Sequence, residues 1–116
     1  MTELRHGAIS VISEIAKHPM GVTEIFRALA DPTRREILRL LRDGPRTSGE
    51  IADHFPTAWP TVSRHLAQLR EARLVISERQ GQQIVYELNT TVFDDLVEHI
   101  LEWVKPKGKP GGKRNA

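Results

Sequence analysis

Thr47-Ser-Gly-Glu-Ile-Ala-Asp-His-Phe-Pro-Thr-Ala-Trp-Pro-Thr-Val-Ser-Arg-His-Leu-Ala-Gln-Leu-Arg-Glu-Ala72 is the stretch whose reading decides the fold. Its first four residues form a capping box, in which a Thr hydroxyl and a Glu carboxylate each satisfy a free N–H of a first helical turn. This opens a short helix running through His54. Phe55-Pro56 stops it, because the residue before a proline is pushed out of the helical region. Thr57 can cap the next helix, over about residues 58–72, with Pro60 tolerated in its first turn. A short helix, a tight turn and a longer helix make a helix-turn-helix.

Downstream the period changes from helical to alternating. Leu74-Val-Ile-Ser-Glu78 and Gln83-Ile-Val-Tyr-Glu-Leu88 are β-rich runs on either side of the polar segment Arg79–Gln82, which predicts a hairpin. A hairpin directly after a helix-turn-helix makes it winged. Asn89-Thr-Thr91 caps a last helix to about Val104. Its apolar residues Val92, Phe93, Leu96, Val97, Ile100, Leu101, Trp103 and Val104 cover more than one stripe, so it is expected to pack on its own domain and on a second subunit.

Upstream, Asp31-Pro32 is a strong helix start: Asp caps free N–H groups, and proline loses nothing in a first turn. Ile37, Leu38, Leu40 and Leu41 supply the apolar face, and Asp43-Gly44-Pro45 ends the helix. Val22 to Ala30 reads as another helix, with Thr23 as its cap. Residues 3–17 place Leu4, Ala8, Val11, Ile12 and Ile15 at helical spacing, closed by Pro19. Met20 could serve as an alternative translation start, which would make residues 1–19 dispensable. The expected division is a helical extension over 1–19, a mainly α domain with one β-hairpin over 20–104, and a Gly/Pro-rich basic tail over 105–116. That tail lacks any aliphatic residue larger than Ala and is expected to be disordered.

The 116 residues suit one domain. With no cysteine, disulfides, thiolate metal sites and thiol redox sensing are excluded. No apolar run approaches the roughly 20 residues of a membrane helix, and no signal-peptide pattern opens the chain. The formal net charge of +2 conceals an asymmetry. Residues 83–104 hold five acidic and no basic residues, and residues 105–116 hold five basic and no acidic ones. The sequence pI of about 9.3 therefore owes much to the tail. The histidines at 6, 18, 54, 65 and 99 show no nucleophile–base grouping or metalloenzyme spacing, so no enzyme and no cofactor are expected.

At about 100° per residue, Val62, Leu66 and Leu69 share the core side of the longer helix. Arg64, Gln68 and Thr61 fall opposite, flanked by Ser63 and Pro60, with no acidic residue before Glu71. Arg suits guanine, Gln suits adenine, and hydroxyls suit phosphate or either base. For an isolated helix of this kind, a solvated amphipathic surface is the favoured reading. The preceding turn and following hairpin favour a DNA-reading face over that and over a protein-docking module. Arg79 and Gln82, beside the flexible Gly81, suit a minor-groove or phosphate contact; an ordinary hairpin loop is the alternative. Arg46, Thr47 and Ser48 open the short helix, where amides could hold a phosphate or simply be capped. Trp59 lies nearer the core edge, fit for packing or for a thymine methyl. His65 sits at the boundary of the two faces.

These residues carry a family resemblance. Phe26-Arg-Ala-Leu-Ala-Asp-Pro-Thr-Arg-Arg-Glu-Ile-Leu-Arg-Leu-Leu41 strongly resembles the first signature of the ArsR/SmtB-type winged-helix repressors. The likeness continues through Gly49-Glu-Ile-Ala52, the segment Pro60–Ala72, Leu74-Val75 and Gly81-Gln-Gln-Ile-Val-Tyr-Glu-Leu-Asn89, and covers about residues 22–104. The Asn89-Thr-Thr91 ending looks most like the SdpR-type autorepressor subgroup. The resemblance implies a bacterial, cytoplasmic homodimer built from its first and last helices. It implies binding to double-stranded DNA at an inverted-repeat operator, with repression by blocking polymerase. Carried over by position, Trp59, Pro60, Thr61, Ser63, Arg64 and the wing around Arg79 would touch DNA, joined by Arg46, Thr47, Ser48, Thr57, Gln68 and Gln82. Ile12, Ile15, Phe26, Leu29, Phe93, Leu96, Val97, Ile100, Leu101 and Val104 would pair the subunits.

The departures matter too. Metal-sensing members often carry a Cys-x-Cys pair in the short helix, which here reads Ser-Gly-Glu-Ile-Ala-Asp-His. Others bind zinc on the last helix, which here offers Asp94, Asp95, Glu98, His99 and Glu102 with one histidine. No metal is expected; a metal-responsive repressor using these carboxylates and His99 is the alternative. The inducing signal, a protein or a small molecule, is not written in these residues.

Overall fold

A computed structural model describes residues 21–105. The readings on residues 1–20, including Ile12 and Ile15, and on residues 106–116 of the tail lie outside the described residues. The elements run α1 (Gly21–Leu29), α2 (Pro32–Leu41), β1 (Arg46–Thr47), α3 (Ser48–Asp53), α4 (Trp59–Glu71), β2 (Val75–Gln80), β3 (Gln83–Leu88) and α5 (Thr90–Val104).

The helix starts follow local chemistry. Asp31 sits in an extended conformation, accepts a 3.1 Å bond from the Arg34 N–H, and places Pro32 in the first turn of α2. Thr47 and Glu50 complete the capping box of α3: the Glu50 N–H donates to the Thr47 hydroxyl at 3.1 Å, and the Thr47 N–H donates to the Glu50 carboxylate at 2.9 Å. Thr47→Ala is expected to lower stability by about 1 kcal/mol, read as a reduced urea midpoint; an unchanged midpoint would remove that role from the box. Thr23 lies inside α1, two residues past its first, and not at a cap position.

Thr57 does not cap α4. The capping residue is Ala58, without a side-chain bond, and the helix starts one residue later than expected with Pro60 in its first turn. Asn89 stands at the cap position of α5, but its side chain does not cap that helix. Its amide Nδ2 instead donates to the Arg73 carbonyl at 3.0 Å.

The C-terminal end of α4 carries the one described non-glycine residue with positive φ, Arg73 at 66°. The Arg73 N–H donates to the Arg70 carbonyl at 2.9 Å and the Leu74 N–H to the Leu69 carbonyl at 3.0 Å. This pair of bonds is a Schellman ending, whose left-handed position glycine usually fills. Arginine there costs about 1 kcal/mol.

The sheet has three antiparallel strands in the order β1-β3-β2. The hairpin is tighter than expected. Arg79 pairs with Ile84 and Gln80 with Gln83, so only Gly81 and Gln82 make the turn. Gly81 has a φ of 67°, as a two-residue hairpin turn with glycine in first place requires. Strand β1 was not foreseen: Arg46 pairs with Tyr86 and Thr47 with Val85.

The core joins every helix to the sheet. Ile25 and Ala28 of α1, Ile37, Leu38 and Leu41 of α2, Ile51 of α3, and Val62, Leu66 and Leu69 of α4 are buried together. Ala72, Leu74, Val75, Tyr86, Val92 and Leu96 complete it, and no polar or charged described residue is buried.

Candidate nucleic-acid interface

Burying Val62, Leu66 and Leu69 fixes which side of α4 faces out. Trp59, Pro60, Ser63, Arg64 and Gln68 are exposed, and Thr61 is half-buried. Trp59 is 51% exposed, so the packing reading of this residue gives way to a free indole at the start of the helix. Arg64 has no hydrogen bond or ion pair among the described residues. No acid stands on α4 before Glu71. The face therefore presents an unneutralised guanidinium, hydroxyls and an aromatic ring. Thr57, freed from capping, is exposed just ahead of it.

The wing adds a second element. Arg79 is exposed in β2, two residues below the turn rather than at its tip. Gln82 is exposed in the turn itself. The start of α3 is more committed than expected. The capping box occupies the Thr47 and Glu50 amides, and the Arg46 Nε donates to the Leu40 carbonyl at 3.2 Å. Arg46 thus places its positive charge at the carbonyl end of α2, where helix dipoles favour cations. For Arg46 and Thr47 the capping reading takes precedence over phosphate holding.

His65 and the carbonyl end of the Gln68 amide turn toward α2. The Arg34 Nε donates to the Ala28 carbonyl at 2.7 Å and its Nη2 to the Arg27 carbonyl at 3.0 Å. Its Nη1 lies 3.3 Å from His65 Nδ1 and donates to Gln68 Oε1. The Asp31 carboxylate stands 3.9 Å from the same His65 nitrogen. Burial alone would raise the Asp31 pKa; the Arg34 N–H bond and the charges of His65 and Arg34 outweigh it and hold the carboxyl below its ordinary value. Nothing in the sequence singled out Arg34 beyond its place in the family signature, because its side-chain partners come from two other elements, α1 and α4.

On α5, Leu96 is buried in the chain's own core, which corrects its expected place at a subunit contact. Leu29, Phe93 and Ile100 are half-buried against that core. Val97, Leu101, Trp103 and Val104 are exposed, Val104 at 68%. Phe26 of α1 packs on Trp103 with ring centroids 5.9 Å apart, so the two helices share one apolar surface. His99 meets Trp103 edge-on. Burial, with Asp94 and Glu98 nearby, pushes the Asp95 carboxyl above its ordinary pKa, and its Oδ2 is buried without a hydrogen-bond partner among the described residues. Among the described residues no three His, Cys, Asp or Glu side chains come together as a metal-binding group. No described helix is long and apolar enough to cross a membrane.

Comparison with known proteins places this arrangement. Residues 31–77 match the family model described as "Bacterial regulatory protein, arsR family". The chain is 43% identical over 83 residues to the transcriptional repressor SdpR of Bacillus subtilis (strain 168), covering 72% of this chain and 92% of that protein. Among solved structures, an ArsR family transcriptional regulator matches with a TM-score of 0.63 and 32% identity, over 77% of this chain and 96% of that one. The homodimeric winged helix-turn-helix DNA-binding domain of a possible ArsR-family regulator from Mycobacterium bovis matches with a TM-score of 0.59 and 26% identity, over 71% of this chain and 78% of that one. With its winged helix-turn-helix fold and its kinship to SdpR, the chain belongs to the arsR family of bacterial regulatory proteins, as a DNA-binding transcriptional repressor and not an enzyme.

Proposed function

We propose that the chain represses transcription as a homodimer on an inverted-repeat operator, with α4 of each copy in a major groove and the wing against the flanking backbone. The observation that carries this reading is the exposed, acid-free face of α4 with Arg64 unpartnered among the described residues. Arg64 supplies base readout, Thr57, Thr61 and Ser63 supply hydroxyls, and Arg79 and Gln82 meet the backbone or minor groove. The dimer rests on the apolar ridge of Val97, Leu101 and Val104 beside Phe26 and on the homodimeric Mycobacterium bovis relative. Blocking polymerase at such a site needs no chemistry beyond occupancy. With no cysteine, release is not thiol-based.

Selection of bound sequences from a random DNA pool tests this reading. The expected outcome is an inverted repeat with half-sites about 10–10.5 base pairs apart, centre to centre. Failure to enrich any sequence would overturn it. Run again with zinc or nickel, the selection should give the same operator with the same affinity. A metal-dependent loss would move the assignment to a metal-responsive repressor in which carboxylates and His99 of α5 are brought together by an arrangement other than the one described.

A further inference from the structure

We propose that Arg34, which lies on α2 and outside the DNA-reading helix, is a specificity-determining residue: it turns the carbonyl oxygen of Gln68 toward α2 and leaves the N–H groups as the end of that side chain that faces DNA. This inference rests on the reading of α4 as the helix that enters the major groove.

An arginine side chain only donates hydrogen bonds, so its contact with Gln68 fixes which way the Gln68 amide faces. The Arg34 Nη1 donates to Gln68 Oε1, so Oε1 is anchored toward α2. The Nε2 group lies across the amide carbon from Oε1 and stays available, because Gln68 is exposed. Arg34 is itself well held. Its Nε and Nη2 close off the carbonyls of Ala28 and Arg27 at the end of α1, at 2.7 and 3.0 Å. A residue tied at both ends in this way makes a fixed anchor, and Gln68 loses the rotation that would let it present either group.

The consequence reverses the expectation for a glutamine in a major groove. Pairing with adenine needs both amide groups, Oε1 to accept from the adenine amino group and Nε2 to donate to N7. The amide oxygen keeps a second lone pair, but with Oε1 turned to Arg34 on α2 that lone pair is directed away from the base that Nε2 meets, so the paired contact with adenine is lost. Guanine offers two acceptors, O6 and N7, and suits a side chain that only donates. Gln68 therefore favours guanine over adenine at the base pair it meets, by roughly tenfold.

The test begins with the operator selected by the unaltered protein, titrated against its single-base variants alongside three altered chains. In the unaltered chain, guanine should bind roughly tenfold better than adenine at one position, and Gln68→Ala should erase the difference there alone. Arg34→Met frees Oε1, and adenine should gain at that position. Because Arg34 also closes the end of α1, that variant is first checked for its thermal transition. Gln68→Glu keeps an acceptor for Arg34 and removes the outward donor, so it tests the idea even where Arg34→Met does not fold. It should abolish the guanine preference and favour a base with an amino group. Adenine preferred by the unaltered chain, or no position responding to Gln68→Ala, would overturn the inference while leaving the repressor reading intact. Absence of any selected operator would instead remove the repressor reading, and this inference with it.

Discussion

Leu66→Ala is expected to lower the stability of the domain by about 2–5 kcal/mol. Leu66 is 1% exposed and sits on α4 among Val62, Leu69 and the α2 and α3 core residues. Truncation removes the transfer energy of the missing atoms and leaves a hole that close-packed neighbours fill only in part. A small domain has only about 5–15 kcal/mol in total, so the loss is a large share of it. Equilibrium urea unfolding is the measurement. The midpoint should fall while the slope stays constant, since the surface exposed on unfolding barely changes. A loss below about 1 kcal/mol would mean that Leu66 does not fill the core as described.

Arg64→Ala is expected to weaken operator binding by about 1–3 kcal/mol, or roughly 5- to 150-fold. Unlike Leu66, Arg64 has no described partner inside the chain, so its removal should leave the unfolding midpoint nearly unchanged. The loss should fall on sequence preference: one position of the selected site should relax while binding to unrelated DNA weakens less. Titration of the variant on the operator and on a scrambled duplex, at one fixed salt concentration, separates the two effects. Equal weakening on both duplexes would make Arg64 a phosphate contact. Unchanged operator affinity would remove α4 from the interface.

The fold was largely legible because its punctuation is chemical. Asp31-Pro32, the Thr47–Glu50 box and Phe55-Pro56 each act within a few residues: α2 and α3 begin where the first two put them and α3 ends within one residue of where the third puts it, while α4 starts one residue later than expected and without its Thr57 cap. Arg73 shows where such reading fails. It occupies a position glycine normally marks, so the sequence carried no sign of the left-handed helix end. Strand β1 was hidden for another reason: two residues are too few for an alternating pattern, and their pairing with β3 spans a long stretch of chain. The core side of α4 followed from periodicity. The state of each outward residue did not, because partners come from elsewhere: Arg34 reaches Gln68 across 34 positions. Leu96 illustrates the same limit on α5, where two apolar stripes were visible but not which one the chain buries itself.

The knot at the end of α4 has a mechanical consequence. Leu74 donates to Leu69 and accepts from the Asn89 N–H at 3.0 Å, while the Asn89 side chain holds the Arg73 carbonyl. The exit of α4, both feet of the hairpin and the entrance of α5 are thus pinned to one small patch of backbone. From that fulcrum the 13 residues of α4 project as an arm about 20 Å long. A tilt of about 10° imposed through α5 would sweep the far end, at Trp59, by about 3 Å, a full hydrogen-bond length. Whatever shifts α5 therefore need not approach DNA to disengage it.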